Sequence, residues 1–385
     1  MGGMSARTLV LGGGFGGIAT AVELRRLLGD DHEIVLVDRK QQFTMGLRKL
    51  WELVGHGTIA DGSRSRALLA SHGVEFVQTE IDAIEPSGRR AKTSDGWLDG
   101  DHVVVGLGAV SRPDLVPGLQ EHGHDIWGFA GVPAAAEALT AFDGGRLLVL
   151  IAGAPYPCPP APYECALHLH EHLLARGLRE RTELAVATLQ PMLMPNAGRD
   201  GSEWMGRQLA ERGISYRLGA KTEHVESGRV VLADGEVPFD LLLAVPPHRP
   251  PAVVAGSGLT AGHGWVGVDA GTLATPHPGV YAVGDVTFIP LANGLPFPKA
   301  GVMAELQGTR VARAIAAELR GEESPALFDG TGFCPIELGS GSAALVQGHW
   351  YAEPEPVVTI TGPSASNAAD KAAFETEHLE RWFGA

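Results

Sequence analysis

The sequence predicts an α/β fold, two Rossmann-like domains followed by a C-terminal segment, on three observations. An apolar strand at residues 8–11 runs into a glycine turn and a helix. The same strand-led pattern restarts near Arg146. A third strand-like stretch, residues 280–285, leads through a Pro-rich loop into another helix.

The first unit is the clearest. Residues 18–28 carry Ile18, Ala21, Val22, Leu24 and Leu28 at helical spacing, and residues 33–37 form a second buried strand ending at Asp38. In the second unit, residues 147–153 form the strand, residues 163–176 a helix and residues 183–188 the next strand. The third contributes the strand at 280–285 and a helix over 300–319, and an amphipathic helix over 369–383 ends the chain. The expected organisation is a discontinuous first domain from residues 1–115 and 255–320. Residues 116–254 form a second domain and residues 321–385 the C-terminal segment.

Composition excludes several function classes. The chain of 385 residues is 44% hydrophobic and 19% charged, too apolar for a disordered protein and long enough for two cores. A net charge of −15 leaves no cationic footprint for nucleic acid and disfavours anionic lipid. No apolar run reaches membrane-spanning length, and the first residues run straight into a strand without signal-peptide architecture. A cytoplasmic protein is expected, with at most peripheral contact with the inner face of the membrane. Self-association stays open. Three cysteines, Cys158, Cys165 and Cys334, are too few for a disulfide framework and leave either buried inert thiols or a redox pair.

Gly12-Gly13-Gly14-Phe15-Gly16-Gly17 matches G-x-G-x-x-G where it must, after a strand and opening a helix. Gly12 permits the tight turn, Gly14 lets backbone approach a pyrophosphate, and Gly17 lets helix and strand pack closely. The helix N-terminus then faces the phosphates. Asp38 lies where an acid binds adenosine ribose hydroxyls. Residues 280–285 deliver Gly284 and Asp285, a carboxylate beside a ligand with no side chain in the way. Together these look like the two-dinucleotide-fold flavoprotein reductases. In that superfamily the first motif holds FAD, and the late Gly-Asp meets its ribityl and pyrophosphate region. Phe15, Gly16, Arg39, Gly108 and Ala109 complete the candidate FAD set with Lys299 and Ala300. The last two precede a helix whose dipole would favour an anionic reduced flavin. For Lys299 a solvated first-turn side chain is the competing reading.

The second unit lacks a glycine fingerprint. Its strand runs into a turn holding Pro155, Pro157, Pro159, Pro160 and Pro162, and proline offers a phosphate no N–H. Little or no nicotinamide binding is expected there. The same turn holds Cys158 just before a helix, where a thiol has a lowered pKa. Cys334 is the candidate partner, and Cys165, beside Ala166 and Leu167, reads as a buried thiol.

Cys158-Pro159-Pro160-Ala161-Pro162-Tyr163-Glu164 resembles the first redox-cysteine segment of sulfide:quinone oxidoreductases and of the flavoprotein subunit of flavocytochrome c sulfide dehydrogenase. Val245-Pro246-Pro247-His248 is similar to a Pro-rich stretch of those families. Gly332-Phe333-Cys334 sits where they place the second cysteine, and the ending around Phe374, Leu379 and Trp382 is similar to the wider group that includes type II NADH dehydrogenases. The resemblance implies a Cys158–Cys334 disulfide or sulfur-bridged pair beside the flavin. Sulfide attacks it and leaves a persulfide. Cys334, by analogy, hands electrons to FAD, and a quinone accepts them. Glu164 is a candidate proton carrier, or else a first-turn acid complementing the helix dipole. Many quinone-linked members have a cysteine upstream of the first redox one. Its absence here removes the usual anchors for covalent flavin, so the FAD is expected to be dissociable. The competing functions are an NAD(P)H-dependent flavin oxidoreductase of the type II NADH dehydrogenase kind and a flavin-binding redox sensor or electron-transfer subunit without turnover. The terminal helix has few apolar positions and is expected to pack on the body or a partner subunit.

Other features carry less. His168, His170 and His172 read as a polar helix face with no third metal ligand in view, and Trp350 and Tyr351 as ordinary packing.

Overall fold

The structure, a computed structural model, describes residues 6–384. Its first sheet is five-stranded and parallel, in the order Val280–Ala282, His102–Val105, Arg7–Leu11, Glu33–Asp38, Glu75–Gln78. The central strand pairs Leu9 with Val35 on one side and Val103 on the other. Its residues Leu9, Val10 and Leu11 are fully buried, as expected of a strand covered on both faces. Helix α1 (Phe15–Leu27) follows that strand across the glycine turn.

The second sheet repeats the design in the order His124–Asp125, Leu241–Val245, Gly145–Ile151, Thr182–Thr188, Ser215–Arg217. Helix α2 (Ala161–Ala175) follows its central strand, but only after a nine-residue turn, residues 152–160. Helix α3 (Gly301–Arg320) packs along α1, beside the first sheet. A three-stranded antiparallel sheet comes next, Thr331–Gly339, Ser342–His349 and Val357–Ser364. Helix α4 (Ala365–Phe383) ends it.

Two elements depart from the sequence reading. The strand expected over 280–285 ends at Ala282, and Gly284–Val286 turns as a short 3-10 helix. Helix α4 begins four residues before Ala369, because the Ser364 hydroxyl caps it by accepting from the Asn367 N–H at 3.1 Å. It packs on the body: Trp382 meets the rings of Phe15 and Phe43 edge-on at 5.3 and 5.6 Å. Trp350 and Tyr351 pack against Phe297, at 6.1 and 5.5 Å.

Candidate active site

One cavity of about 770 Å³ runs from the glycine turn to the cysteines. At the glycine turn, Gly12 holds φ +102°, and a Cβ on Gly17 would sit 1.9 Å from the Gly12 carbonyl. A Cβ on Gly14 would meet nothing within 4 Å, so this residue leaves open space on the cavity wall. The Asp38 carboxylate accepts from the Gly13 and Lys40 N–H groups, both at 2.8 Å. Arg66, buried behind the turn, donates to the Gly13 carbonyl at 2.8 Å and lies 3.5 Å from Asp38. Asp285 lines the same cavity, and its Oδ1 is buried without a hydrogen-bond partner. A buried orphan acceptor and an open glycine cradle in one cavity fit a polar ligand that supplies the missing donor.

Arg39, Gly108, Ala109 and Ala300 line the same cavity, with Phe15, Gly16 and Gly284. Lys299 does not. Its ammonium donates to the Asp285 carbonyl at 2.7 Å and to the Thr287 carbonyl, and lies 3.9 Å from the centre of the Trp265 ring. At 5% exposure it is not a solvated first-turn residue either. Its backbone carbonyl accepts from the Cys158 N–H at 2.5 Å, so it helps fix the cysteine rather than facing the cavity.

The long second turn explains how a residue that follows the second sheet reaches Lys299, just before α3. Tyr156 and Tyr163 are buried at 3% and 0%, and the Tyr156 hydroxyl donates to the Pro159 carbonyl at 3.1 Å. A Cβ on Gly153 would meet the Pro247 Cα at 2.4 Å. The place before α2 is therefore filled by the chain itself, and the turn carries Cys158 across to Lys299. Cys158 holds φ +56°, a left-handed conformation that costs about 1 kcal/mol or more in a residue with a Cβ.

Cys334, from the strand Thr331–Gly339, reaches the same cavity wall. The two thiols are near enough to shift each other: the Cys334 thiol lowers the Cys158 pKa, against burial and Glu164, and with help from Lys371 and Lys49. Cys334 is raised by Cys158 and by burial. Of the reduced pair, Cys158 is the thiol favoured to ionise first, with its partner thiol as the leading cause. Cys165 is fully buried, and burial pushes its pKa up.

Beside the sulfurs lies a buried ionic cluster. Glu164, in the first turn of α2, pairs with Lys371 of α4 and accepts from the Glu337 N–H at 2.8 Å. His168, one turn on, places Nε2 2.8 Å from Glu337 Oε2. Burial alone would raise the Glu337 carboxyl. Its contacts with His168, Lys371 and Trp51 outweigh that and hold it at about 2. Glu164, Lys371 and Cys334 share the cavity wall with Phe374.

The pattern of the pyridine nucleotide-disulphide oxidoreductases matches residues 6–317. The chain belongs to that family. It is an FAD-dependent oxidoreductase similar to sulfide-quinone reductases. The sulfide-quinone reductase of Aquifex aeolicus is 28% identical, covering 98% of this chain and 91% of that one. A type II NADH:quinone oxidoreductase of Staphylococcus aureus is 24% identical over 83% of this chain and 84% of that one. In fold, the X-ray structure of the Aquifex aeolicus sulfide:quinone oxidoreductase superposes with a TM-score of 0.87 at 24% identity, covering 98% of this chain and 92% of that one.

The charged residues Lys49, Arg66 and Lys371 of this oxidoreductase's cavity wall escaped the sequence reading, and Phe374 entered it only through the likeness of the chain's ending. Lys371, Glu375 and His378 share the inner face of α4 with Trp382, a stripe that reads as solvated until its partners are known. His168 is 4% exposed, so the polar-face reading fails for it. The i, i+4 spacing of Glu164 and His168 was the available signal. His170 accepts from the Arg179 guanidinium at 2.9 Å, and His172 Nδ1 lies 3.2 Å from the Val54 carbonyl.

Proposed function

We propose that this oxidoreductase oxidises sulfide, or a related sulfur compound, at Cys158 and Cys334, and that the electrons pass through non-covalently held FAD to a quinone. The observation that carries the proposal is that two cysteines from separate parts of the chain line one cavity, which Gly14 and Asp285 also line. The sulfide-quinone reductase likeness along nearly the whole chain supports it.

The Gly12–Gly17 turn, Asp38 and Asp285 would hold FAD, which when bound supplies a two-electron acceptor beside the sulfurs. Starting from a Cys158–Cys334 disulfide, hydrosulfide forms a new S–S bond to one cysteine while the old S–S bond breaks and the other sulfur leaves as a thiolate. In this reading the persulfide forms on Cys158 and Cys334 is the sulfur that leaves. The hydrosulfide proton has a route into the Glu164–Lys371 pair, with His168 and Glu337 behind it. Glu164 in this role is a proton carrier, and its pairing with Lys371 goes beyond helix-dipole compensation. A lipophilic quinone resides in a membrane, so peripheral contact from the cytoplasmic side is part of the proposal. Among the described residues no helix is long and apolar enough to cross one.

The test is an anaerobic visible spectrum of the flavin-loaded protein, titrated separately with sulfide and with NADH. Bleaching by sulfide, reversed by quinone and lost in both Cys158→Ser and Cys334→Ser, is the expected result. Bleaching by NADH alone would replace this reading with a nicotinamide-dependent one. Bleaching by sulfide without sustained turnover on any acceptor would make the protein a redox sensor.

A further inference from the structure

Lys49 sits on the cavity wall with no role in the chemistry derived so far. Its ammonium donates to the Trp127 carbonyl at 2.9 Å and lies 5.2 and 5.1 Å from the ring centres of Trp127 and Phe129. Among the described residues it meets no carboxylate in an ion pair. Trp127 in turn donates from Nε1 to the carbonyl of Pro157, the residue before Cys158, at 3.1 Å. One short chain of contacts therefore ties the Lys49 ammonium to the backbone that presents the Cys158 sulfur, and both groups face the same cavity. An ammonium has three donors, and one is accounted for.

The charged neighbours do not neutralise it. Asp125 is committed to the Trp127 and Gly128 N–H groups, at 2.7 and 2.9 Å. Asp285 stands beside Lys299. Lys371 is paired with Glu164, and Lys40 lies 5.9 Å from the Phe129 ring centre. Lys49 is thus a cation tied to the turn that carries Cys158, with no ion-pair partner among the described residues. Burial lowers its pKa, while Cys158, Asp125 and Asp285 favour its charged form, as an anion lodged there would.

We propose that Lys49 is the anion-holding group of the sulfur site, taking hydrosulfide as it enters and the terminal sulfur of the persulfide on Cys158. The choice of sulfur anion rests on the sulfide-oxidising reading above. The two aromatic rings and the Trp127 carbonyl hold the ammonium in place, and its charge gives the wall a subsite for a small sulfur anion.

The experiment labels the reduced, flavin-loaded protein at Cys158 with iodoacetate and with iodoacetamide and follows the modified peptide by mass spectrometry. Both reagents attack the same thiolate, so the ratio of their rates cancels any change in thiolate fraction and reports the charge the reagent meets. Wild type should favour iodoacetate, relative to a free cysteine peptide, by about tenfold. Lys49→Met should remove that preference while the yellow FAD spectrum is retained, and Lys49→Arg should keep most of it. A wild-type ratio equal to that of the free peptide overturns the proposal even where Lys49→Met does not fold, as does a ratio unchanged in Lys49→Met. The labelling uses no sulfide. Absence of sulfide-dependent bleaching therefore counts against the sulfide reading, and absence of charge preference against Lys49.

Discussion

Gly14 and Gly17 lie on one turn and respond differently to an added methyl. At Gly17 it would collide with the Gly12 carbonyl at 1.9 Å, a clash with backbone that no rotamer relieves. Gly17→Ala should lose about 3 kcal/mol or more of stability, read as a lowered urea midpoint. At Gly14 it enters open space. Gly14→Ala should keep a near-wild-type midpoint and bind FAD at least tenfold more weakly, measured by flavin fluorescence quenching. The ionic cluster makes a second prediction. Glu337 is held at about 2, below its usual 4.5, so its contribution is present above about pH 4.5 and is lost as pH falls toward 2. The wild-type midpoint should therefore drop across that window, and Glu337→Gln should be flatter, the difference amounting to about 2–3 kcal/mol. Lys371→Met leaves Glu164 buried without its cation and should cost about 3–5 kcal/mol at neutral pH.

At the scale of elements, α4 and the turn over residues 152–160 build most of the sulfur end of the site. Helix α4 is clamped by Trp382 between Phe15 and Phe43, with Phe383 against Phe43 at 5.5 Å. The same helix carries Lys371 and Phe374 to the cavity wall. Trp382→Ala should cost about 3–5 kcal/mol. It should also lower the temperature at which FAD is released, because Phe15 belongs to both the aromatic clamp and the glycine turn. The turn over 152–160 is longer than a phosphate-binding turn needs. Its length takes Cys158 out of the second domain and fixes it to Lys299, at the start of α3.

In the whole molecule, the two cysteines come from parts that have no local reason to meet. Cys158 lies on the turn after the second sheet's central strand, Cys334 on the C-terminal sheet, and residues around the first sheet line the same cavity. A protein so arranged couples the relative placement of its parts to its chemistry. Removing the residues beyond Gly321 should therefore abolish sulfide-dependent bleaching even if FAD still binds, and an anaerobic titration of that variant checks it.

The sequence by itself determined the α/β class and the glycine turn. Both are written in short-range pattern: buried strands as apolar runs, and a glycine fingerprint whose spacing is set by one strand-turn-helix crossing. It also pointed to Cys158, through the prolines that replace a second fingerprint. Tertiary structure decided the rest of the site. Lys299 precedes the N-cap Ala300, so no helical periodicity fixes its direction, and packing turned it toward the Asp285 and Thr287 carbonyls. Lys371 and Glu164 belong to helices far apart in the chain, and each read alone is a charge on a solvated face. Only their burial together makes them a pair. Lys49 and Arg66 carry no motif at all. Their place was set by which loops close over the first sheet, and a long-range contact between single side chains leaves no period in the sequence to read.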